Sequence, residues 1–438
     1  MLQYYQISQI LNRNFLSIAM KRFYTILYET LGMMLAMILV LVHWKKLKPG
    51  TNMPGAWKER FGIYPSSLSS QKTIWFHAVS IGEILSILPL LIELKKRFPA
   101  KRVLLTCTTV SGKTIAMERI PEVEIRFFPF DLSFCMKRAI KSLRPELFIA
   151  VETEFWPILM HTLSQKKIPA ILLNGRISKT SFNRYRLLPG FTRETVRAFS
   201  SMVMKSTLDA SRAIQLGAIP EKVSISKSMK FDRAWELSQQ KRECPFSSKE
   251  PVIILGSLHL QEEEAAVAMI EDLSLRFPAA SFILAPRSLL KTRLATYLQK
   301  SALSWVRKTE WDSTPFQVLL LDTFGELTDF YACADIAFVG GSIAPGGGHN
   351  PLEPLAFNKV VLYGPCQWDF EREWSLIKEA GAGIEVRNFP HLTETITNLL
   401  LNPATMQKIG SKGIETISLH RGATEENLKR IEKYITLQ

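Results

Sequence analysis

A glycine-rich segment from Gly340 to Glu353 contains the residue types that bind a phosphate group. It holds a run of two glycines and a run of three, and it follows a short apolar run typical of a buried parallel strand. Glycines let the backbone approach a ligand closely, and Asn350 can cap a helix in which Pro351 takes the first position. Free N–H groups at a helix start favour an anion. The segment therefore predicts either a phosphate-binding loop or an ordinary glycine-rich turn before a capped helix.

Three carboxylates follow predicted strands and could take part in proton transfer: Glu83, Glu152 and Glu154. Glu83 opens a long predicted helix, where a carboxylate can simply satisfy free N–H groups. The helix dipole predicts a lowered pKa for Glu83, and the ionised group could still accept a proton from an alcohol within hydrogen-bond reach. Glu152 and Glu154 share a face only if the chain stays extended, whereas a turn would separate them. Either could instead be a structural partner for Arg176 or a lysine.

Two cations, Lys230 and Arg287, could neutralise a leaving phosphate. Arg287 follows Pro286 at the end of a predicted strand. Lys230 lies near the predicted join between two domains, where a lysine is usually a solvated surface charge. Glu326 and Glu353 each begin a predicted helix, so they could cap it or accept a hydrogen bond from a ribose hydroxyl.

The composition describes a folded protein that favours anionic partners. The chain has 438 residues, 47% hydrophobic and 22% charged, and a net charge of +15. Nucleic acid is disfavoured as a partner, because the basic residues are scattered and the sequence contains no recognisable nucleic-acid-binding motif. The cysteines are odd in number and widely spaced, which argues against disulfides and a thiolate zinc site and fits a reducing compartment. The histidines show no metal-ligand spacing, so no metal site is predicted.

Alternating strand and helix patterns predict two α/β domains with parallel, doubly wound sheets. The predicted strands are Ile74–Val79, Val103–Thr109, Ile125–Phe130, Leu147–Val151, Ala170–Asn174, Val252–Leu255, Phe282–Ala285, Val318–Leu321, Ile336–Gly340 and Val360–Tyr363. Helical patterns occur at Ile84–Phe98, 262–276, 289–300, 326–334 and 421–436. Ligands of open α/β sheets bind beyond the carboxyl ends of the strands, where the residues above gather. Two such edges facing each other would form one interdomain cleft.

The N-terminal region predicts a membrane anchor. The uncharged run Leu31–Val42 is shorter than the roughly 20 apolar residues that span a bilayer. An anchor that inserts shallowly or barely spans would place Trp44, Lys45, Lys46 and Lys48 at the cytoplasmic headgroups. The alternative is a buried helix packed on the domain. The expected domains are 1–49, 50–235, 236–420 and a terminal helix at 421–438 that can cross back to the first domain.

Taken in order, the motifs resemble those of the Kdo transferases, which add 3-deoxy-D-manno-octulosonic acid (Kdo) to the lipid A precursor of Gram-negative bacteria. The motifs are His77–Glu83, Pro129–Leu132, Glu152–Pro157, Asn174–Ser178, Lys230–Asp232, Gly325–Leu327 and Gly340–Glu353. The N-terminal anchor fits the same family. The sequence departs from the family pattern at Gln261, Ser288 and Met229, which bears on the nucleotide contacts more than on the reaction.

The resemblance implies a GT-B architecture of two Rossmann-like domains, in which 50–235 binds the acceptor and 236–420 the nucleotide sugar. It implies inversion at the anomeric carbon with no metal and no cofactor. By that likeness Glu83 is the general base, and Glu152 and Lys230 stabilise the transition state. Nucleotide contacts would come from Pro286, Arg287, Phe324, Gly325, Glu326, Asn350, Pro351, Leu352 and Glu353. The acceptor-side candidates are Ser80, Gly82 and Arg176.

By the same resemblance the donor is CMP-Kdo and the acceptor is lipid IVA, the tetraacyl disaccharide precursor of lipid A. The enzyme would work at the cytoplasmic face of an anionic inner membrane in lipopolysaccharide core biosynthesis. The number and linkage of the Kdo units added, and the oligomeric state, are not predicted.

Three alternatives remain open. One is another GT-B transferase that uses a UDP- or GDP-sugar. A dinucleotide-dependent dehydrogenase is disfavoured, because neither half has a G-x-G-x-x-G after its first strand with an acidic residue about 20 positions later. The third is a non-catalytic membrane-surface protein that binds nucleotide or acidic lipid, and it predicts binding without CMP release.

Overall fold

The computed structural model describes residues 23–42, 56–69, 71–240, 244–246, 250–368 and 370–435. These residues form two compact units. One contains the chain up to Met229 and again from Gly422, and the other contains Lys230–Arg421. The boundary expected after residue 235 lies a few residues beyond this division, so Lys230 belongs to the second unit. The expected headgroup residues lie outside the described residues: Trp44, Lys45, Lys46 and Lys48.

The first unit contains a seven-stranded parallel sheet in the order β3-β2-β1-β4-β5-β6-β7. Its elements in chain order are α1 (Phe23–Val42), α2 (Ala56–Arg60), β1 (Thr73–His77), α3 (Ile81–Arg97), β2 (Arg102–Cys107), α4 (Val110–Arg119), β3 (Glu124–Phe127), α5 (Ser133–Leu143), β4 (Pro145–Val151), α6 (Pro157–Gln165), β5 (Ala170–Gly175), α7 (Lys179–Arg186), α8 (Pro189–Arg197), β6 (Ser201–Met204), α9 (Thr207–Gln215) and β7 (Val223–Ile225). Strands β1 and β4 are buried along their whole length, as expected for central parallel strands covered by helices.

The second unit contains a second seven-stranded parallel sheet in the order β10-β11-β9-β8-β12-β13-β14. Helix α10 (Met229–Gln239) begins at the division between the units. The following elements are β8 (Val252–Leu258), α11 (Leu260–Arg276), β9 (Ser281–Pro286), α12 (Leu294–Lys300), β10 (Trp305–Arg307), β11 (Val318–Leu320), α13 (Leu327–Tyr331), β12 (Ile336–Val339), α14 (Leu352–Ala356), β13 (Val360–Tyr363), α15 (Glu371–Ala380), β14 (Gly383–Glu385), α16 (Phe389–Leu400) and α17 (Pro403–His420). The last helix, α18 (Ala423–Ile435), belongs to the first unit.

These two sheets confirm the fold class predicted from the sequence, and every predicted strand occurs with its ends within three residues of the predicted ones. Strands β6, β7, β10 and β14 were not predicted. Each has only three or four residues and contains a polar residue or glycine, so none shows the continuous apolar run by which the equally short β11 and β13 were predicted. Three of them, β7, β10 and β14, are edge strands.

The terminal helix α18 forms part of the core of the first unit. Leu428 is fully buried in the same hydrophobic cluster as Leu91 of α3. Arg97, at the end of α3, forms an ion pair with Glu432 at 3.2 Å. After Arg421 the chain therefore returns to the first unit.

Helix α1 extends over 20 residues, further than the run Leu31–Val42 from which the anchor was predicted. It includes Glu29, whose carboxylate accepts a hydrogen bond from the Ser133 hydroxyl. By length and composition it is apolar enough to cross a membrane.

The second unit contains a disulfide between Cys244 and Cys333, whose Cα atoms are 5.2 Å apart. The cysteine spacing had argued against disulfides, and for this pair that expectation is wrong. The two residues are separated by 89 positions. Their proximity depends on tertiary packing, which leaves no local sequence signal.

Candidate active site

Ser80 is the N-cap of α3 and holds Glu83 in the first turn. The Ser80 hydroxyl oxygen accepts the Glu83 N–H at 3.3 Å. The Glu83 carboxylate in turn accepts the Val79 N–H at 2.6 Å and the Ser80 hydroxyl at 3.0 Å. The serine thus satisfies a free N–H group of the helix start, and the carboxylate satisfies the N–H group of the residue before the cap. The cap therefore holds the carboxylate in one position at the carboxyl end of β1.

The pKa of Glu83 is raised to about 7. Burial is the largest cause and the Glu152 carboxylate the next, while the hydrogen bonds from Val79 and Ser80 oppose the rise. The sequence-based expectation of a lowered pKa is wrong, because burial and a like charge outweigh the helix start. A carboxyl group that titrates near neutral pH suits a general base.

Glu152 follows β4 directly and adopts a left-handed backbone conformation, with φ of 65°. Asn174, near the end of neighbouring β5, has φ of 56°, and its side-chain nitrogen lies 3.4 Å from the Glu152 carboxylate. Such a conformation costs a glutamate about 1–3 kcal/mol, and strain of this kind concentrates at functional sites. Of the two possibilities the sequence left open for Glu152 and Glu154, the structure has the turn.

A buried group around Glu154 lies beside Glu83. Glu154 accepts a hydrogen bond from the Trp156 indole N–H at 2.6 Å and lies 3.4 Å from His77 Nε2. His77 Nδ1 lies 3.0 Å from the Thr106 carbonyl oxygen. The register of adjacent strands, with His77 opposite Ala150, explains the proximity of His77 to Glu154.

The acceptor-side candidates lie at the same edge of the first sheet. Ser80 is exposed at the cap, and Gly82 is exposed in the first turn of α3. Arg176 follows β5, and its carbonyl oxygen accepts a hydrogen bond from the Thr153 hydroxyl. The first unit thus brings together Ser80, Gly82, Glu83 and Glu152.

In the second unit, a buried carboxylate accepts hydrogen bonds from the backbone N–H groups at the start of the glycine-rich loop. Glu262, in the first turn of α11, is 1% exposed. One of its oxygens accepts the N–H groups of Gly341 at 2.7 Å and His259 at 3.0 Å. The other accepts those of Ile343 and Ala344, both at 3.1 Å. The expectation that this part of the loop is free to bind phosphate is wrong, because an internal anion already fills it.

The second half of the loop leads into α14, which begins later than predicted. Pro351 is the N-cap and Leu352 the first helical residue. The Asn350 side-chain oxygen accepts the Leu352 N–H at 3.2 Å, and its side-chain nitrogen donates to Glu353 at 3.1 Å. Glu353 also accepts the Thr328 hydroxyl at 3.2 Å. Asn350 and Glu353 therefore tie the loop to α13 and α14.

A histidine pair adjoins the loop next to Arg287. The Nε2 atoms of His259 and His349 are 2.9 Å apart. Burial first, then the charge of Arg287 and the presence of His259, lower the pKa of His349 to about 3. His349 is thus neutral at physiological pH. Arg287 itself is exposed after β9, where it can meet an anionic ligand.

The remaining nucleotide candidates follow β11, next to β9 in the sheet. Phe324 is 71% exposed. Gly325 has φ of 89° and open space at its Cβ position. The Glu326 carboxylate accepts the Thr323 hydroxyl at 2.7 Å. Pro286 ends β9. The candidates of this unit therefore gather at the carboxyl ends of β9, β11 and β12.

Lys230 is half-buried in the second unit and is not a solvated charge. Its Nζ lies 4.0 Å from the carboxylate of Glu373, which is 1% exposed, and 3.8 Å from the centre of the Phe370 ring. The preceding Met229, one of the departures from the family pattern, is buried in the core of the first unit. Another departure, Gln261, is exposed at the start of α11. Among the residues that the structure describes, no group of three or more His, Cys, Asp and Glu side chains could hold a metal ion.

Comparison with solved structures identifies the fold. The chain matches the UDP-GlcNAc 2-epimerase from Neisseria meningitidis with a TM-score of 0.58 and 13% sequence identity, covering 84% of this chain and 100% of that chain. At this identity the likeness concerns the fold alone. It is the GT-B type of architecture with two Rossmann-like domains.

Comparison with known sequences shows which proteins the chain is similar to. Residues 55–233 match the family of 3-deoxy-D-manno-octulosonic-acid transferases (Kdo transferases). The 3-deoxy-D-manno-octulosonic acid transferase of Haemophilus influenzae is 29% identical over 387 residues, which cover 86% of this chain and 91% of that protein. The enzyme of the same name from Chlamydia trachomatis serovar D is 27% identical over 395 residues, covering 87% and 90%. The chain is therefore similar to Kdo transferases over most of its length.

Proposed function

We propose that this protein transfers Kdo from CMP-Kdo to lipid IVA, with inversion at the anomeric carbon and without a metal ion. The observation that carries the proposal is the capped carboxyl group of Glu83, whose pKa is about 7. The similarity to Kdo transferases supports the choice of Kdo as the transferred sugar.

In this mechanism Glu83 accepts the proton of the attacking acceptor hydroxyl. Its hydrogen bonds to Val79 and Ser80 hold the carboxylate in place, so little reorganisation accompanies the proton transfer. The hydroxyl oxygen forms a bond to the anomeric carbon as the bond to the CMP oxygen breaks, and CMP leaves with that electron pair. Glu152 is a second negative charge near Glu83. A carboxylate there would stabilise the positive charge that develops on the sugar ring.

The second unit would bind the nucleotide and stabilise the leaving phosphate. Arg287 is exposed and carries the positive charge that a departing CMP requires. Lys230 is the second cation, held between Glu373 and the Phe370 ring. The nucleotide would contact the strand-end candidates: Pro286, Arg287, Phe324, Gly325, Glu326, Asn350, Pro351, Leu352 and Glu353. A cationic set of this kind can stabilise a leaving phosphate without a divalent ion.

The proposed location is the cytoplasmic face of the inner membrane. Helix α1 is apolar over 20 residues, and the chain carries a net charge of +15. Both features favour a membrane that holds anionic lipid and an acylated, phosphorylated acceptor.

The test is to incubate the purified protein with CMP-Kdo and lipid IVA, separately and together. CMP release should require both substrates, and mass spectrometry should show the acceptor heavier by whole Kdo units. Consumption of a UDP- or GDP-sugar instead would favour another transferase. Tight nucleotide binding with no transfer would indicate a binding protein.

A further inference from the structure

A cavity of about 1130 Å³ lies in the first unit, between α1 and the segments that follow β2 and β3. It is larger than the roughly 300–1,000 Å³ typical of small-molecule pockets. The side chains that line it are mostly apolar and include Leu31, Leu35, Leu39, Val110, Phe130 and Leu132. Nothing in the reaction at Glu83 requires a hydrocarbon-lined space of this size.

Helix α1 is docked over the cavity by residues spaced one helical turn apart. The Tyr28 hydroxyl donates to Asp131 at 2.9 Å. A Cβ at Gly32 would come within 3.1 Å of the Leu132 side chain, and Ala36 is 2% exposed. Positions four apart lie on one face of a helix. This face therefore packs on the domain, and the helix runs along the protein surface.

The opposite face of α1 exposes large apolar side chains, including Ile26 at 66%, Ile38 at 52% and Leu41 at 71%. An apolar helix face of this kind can insert into the boundary between headgroups and acyl chains of a membrane. Leu31 and Leu35 line the cavity and are also more than half exposed, at 56% and 57%. With α1 inserted in this way, hydrocarbon from the bilayer would lie next to the cavity wall.

The cavity also reaches the catalytic edge of the sheet. Trp156 lines it, and its indole N–H donates to Glu154 at 2.6 Å. The Trp156 ring packs on Phe128, which stacks on His77 with ring centres 3.7 Å apart. A molecule in the cavity would therefore lie one side chain away from the carboxylates around Glu83.

The charged residues on the cavity wall are already paired within the protein. Arg60 donates to the carbonyl oxygens of Phe128, at 3.1 Å, and Thr108. Asp131 accepts from the Tyr28 hydroxyl and from two backbone N–H groups at the start of α6. The polar groups of a nucleotide or sugar would leave water and find wall groups whose hydrogen bonds are already made within the protein. A hydrocarbon chain has no hydrogen bonds to lose when it enters the cavity.

We propose that this cavity binds a fatty acyl chain of the acceptor lipid and so holds the acceptor sugar at Glu83. The inference rests on the proposed function, since it assumes an acylated acceptor. The acyl chain passes from the bilayer past α1 into the cavity. Its burial there explains how a membrane-bound substrate reaches the carboxylate of Glu83. The acyl chain thereby becomes a determinant of substrate specificity.

The experiment compares lipid IVA with the same disaccharide bisphosphate stripped of its acyl chains, using the full chain. Val110 lines the cavity at the start of α4 and is 57% exposed, so Val110→Trp fills the space from its edge. Met117 lies on the same helix, is 56% exposed and does not line the cavity, so Met117→Trp is the matched control. Val110→Trp should lower the preference for the acylated over the deacylated acceptor, in kcat/KM, at least tenfold. Met117→Trp should leave this preference at the wild-type value.

A second measurement detects the chain directly. An acceptor with a diazirine on one acyl chain should cross-link, on irradiation, to the peptides that contain Leu35 and Val110, and Val110→Trp should weaken this labelling. Cross-links confined to Ile26, Ile38 and Leu41 would overturn the proposal, because the chain would then stay in the bilayer. A diazirine-bearing phospholipid serves as the comparison. If it labels the same peptides equally and excess lipid IVA does not displace it, the cavity holds bulk lipid and the proposal is overturned.

The two proposals fail in distinguishable ways. Transfer to both acceptors with equal kcat/KM in wild-type protein would remove the acyl site and leave the Kdo transferase activity intact. Absence of transfer to either acceptor would remove the proposed function itself, and the acyl site with it.

Discussion

Replacing Glu262 by glutamine should destabilise the second unit and release the start of the glycine-rich loop. The carboxylate holds four backbone N–H groups, those of His259, Gly341, Ile343 and Ala344, at 2.7–3.1 Å. In Glu262→Gln one oxygen becomes an NH₂ group, which is a donor. Two of the four N–H groups then lose their acceptor and face another donor.

The size of the effect follows from the cost of unpaired groups. A buried donor without a partner costs about 1–3 kcal/mol, so two of them cost roughly 2–6 kcal/mol. Folded domains have only about 5–15 kcal/mol of net stability. In a unit of this size, 1 kcal/mol lowers Tm by about 2–4 °C. The expected loss in Tm for the second unit is therefore at least about 4 °C.

The assay is thermal unfolding of the full chain, combined with hydrogen exchange of the peptide that covers Gly341–Ala344. The matched control is Glu264→Gln, which removes the same charge from an exposed position on the same helix. Glu262→Gln should lower Tm and speed exchange in this peptide, while Glu264→Gln should do neither. If both variants unfold and exchange like the wild type, the carboxylate does not hold the loop.

Two further sets of variants test the catalytic groups. Glu83 must be ionised to accept a proton, so kcat/KM for transfer should rise with pH through about 7. Glu152→Gln removes a like charge and should move the midpoint to lower pH, whereas Ser80→Ala removes a hydrogen bond that favours ionised Glu83 and should move it to higher pH. An unmoved midpoint in both would contradict the coupling. Lys230→Met removes the charge beside Glu373 and should lower kcat by about 10²–10³-fold. CMP affinity by calorimetry should change little, and a wild-type kcat would exclude Lys230 from the chemistry.

The long buried strands could be predicted because they carry their own signal. Strands such as β4 and β8 contain continuous apolar runs, Leu147–Val151 and Val252–Leu255, which mark a parallel sheet covered on both faces. In the short strands β6, β7, β10 and β14 a polar residue or glycine leaves no such run. They form because a neighbouring strand offers its hydrogen-bonding edge, and that information lies elsewhere in the chain.

The sequence located Glu83 but misjudged its ionisation. The helix start is a local feature of the sequence, and the structure has Glu83 in the first turn of α3 as expected. The raised pKa depends on burial and on Glu152, which arrives from β4, the neighbour of β1 in the sheet. Interactions between strands distant in sequence cannot be read from either segment alone.

The same reason explains the role of Glu262. It precedes the loop it holds by about eighty residues, and only the adjacency of β8 and β12 brings the two together. The glycines predicted either a loop that approaches a phosphate closely or an ordinary turn. The anion that the structure places against its first amides is a side chain of the protein itself.

Measuring CMP release by Glu83→Ala tests the central claim most directly. Full-length protein is supplied with CMP-Kdo and lipid IVA, and CMP-Kdo binding is measured in parallel by calorimetry. Glu93→Ala removes a carboxylate from the same helix, away from the capped turn, and serves as the control. We predict that Glu83→Ala abolishes CMP release while it keeps the wild-type affinity for CMP-Kdo. Glu93→Ala should release CMP at the wild-type rate. Release by Glu83→Ala at the wild-type rate would contradict the central claim.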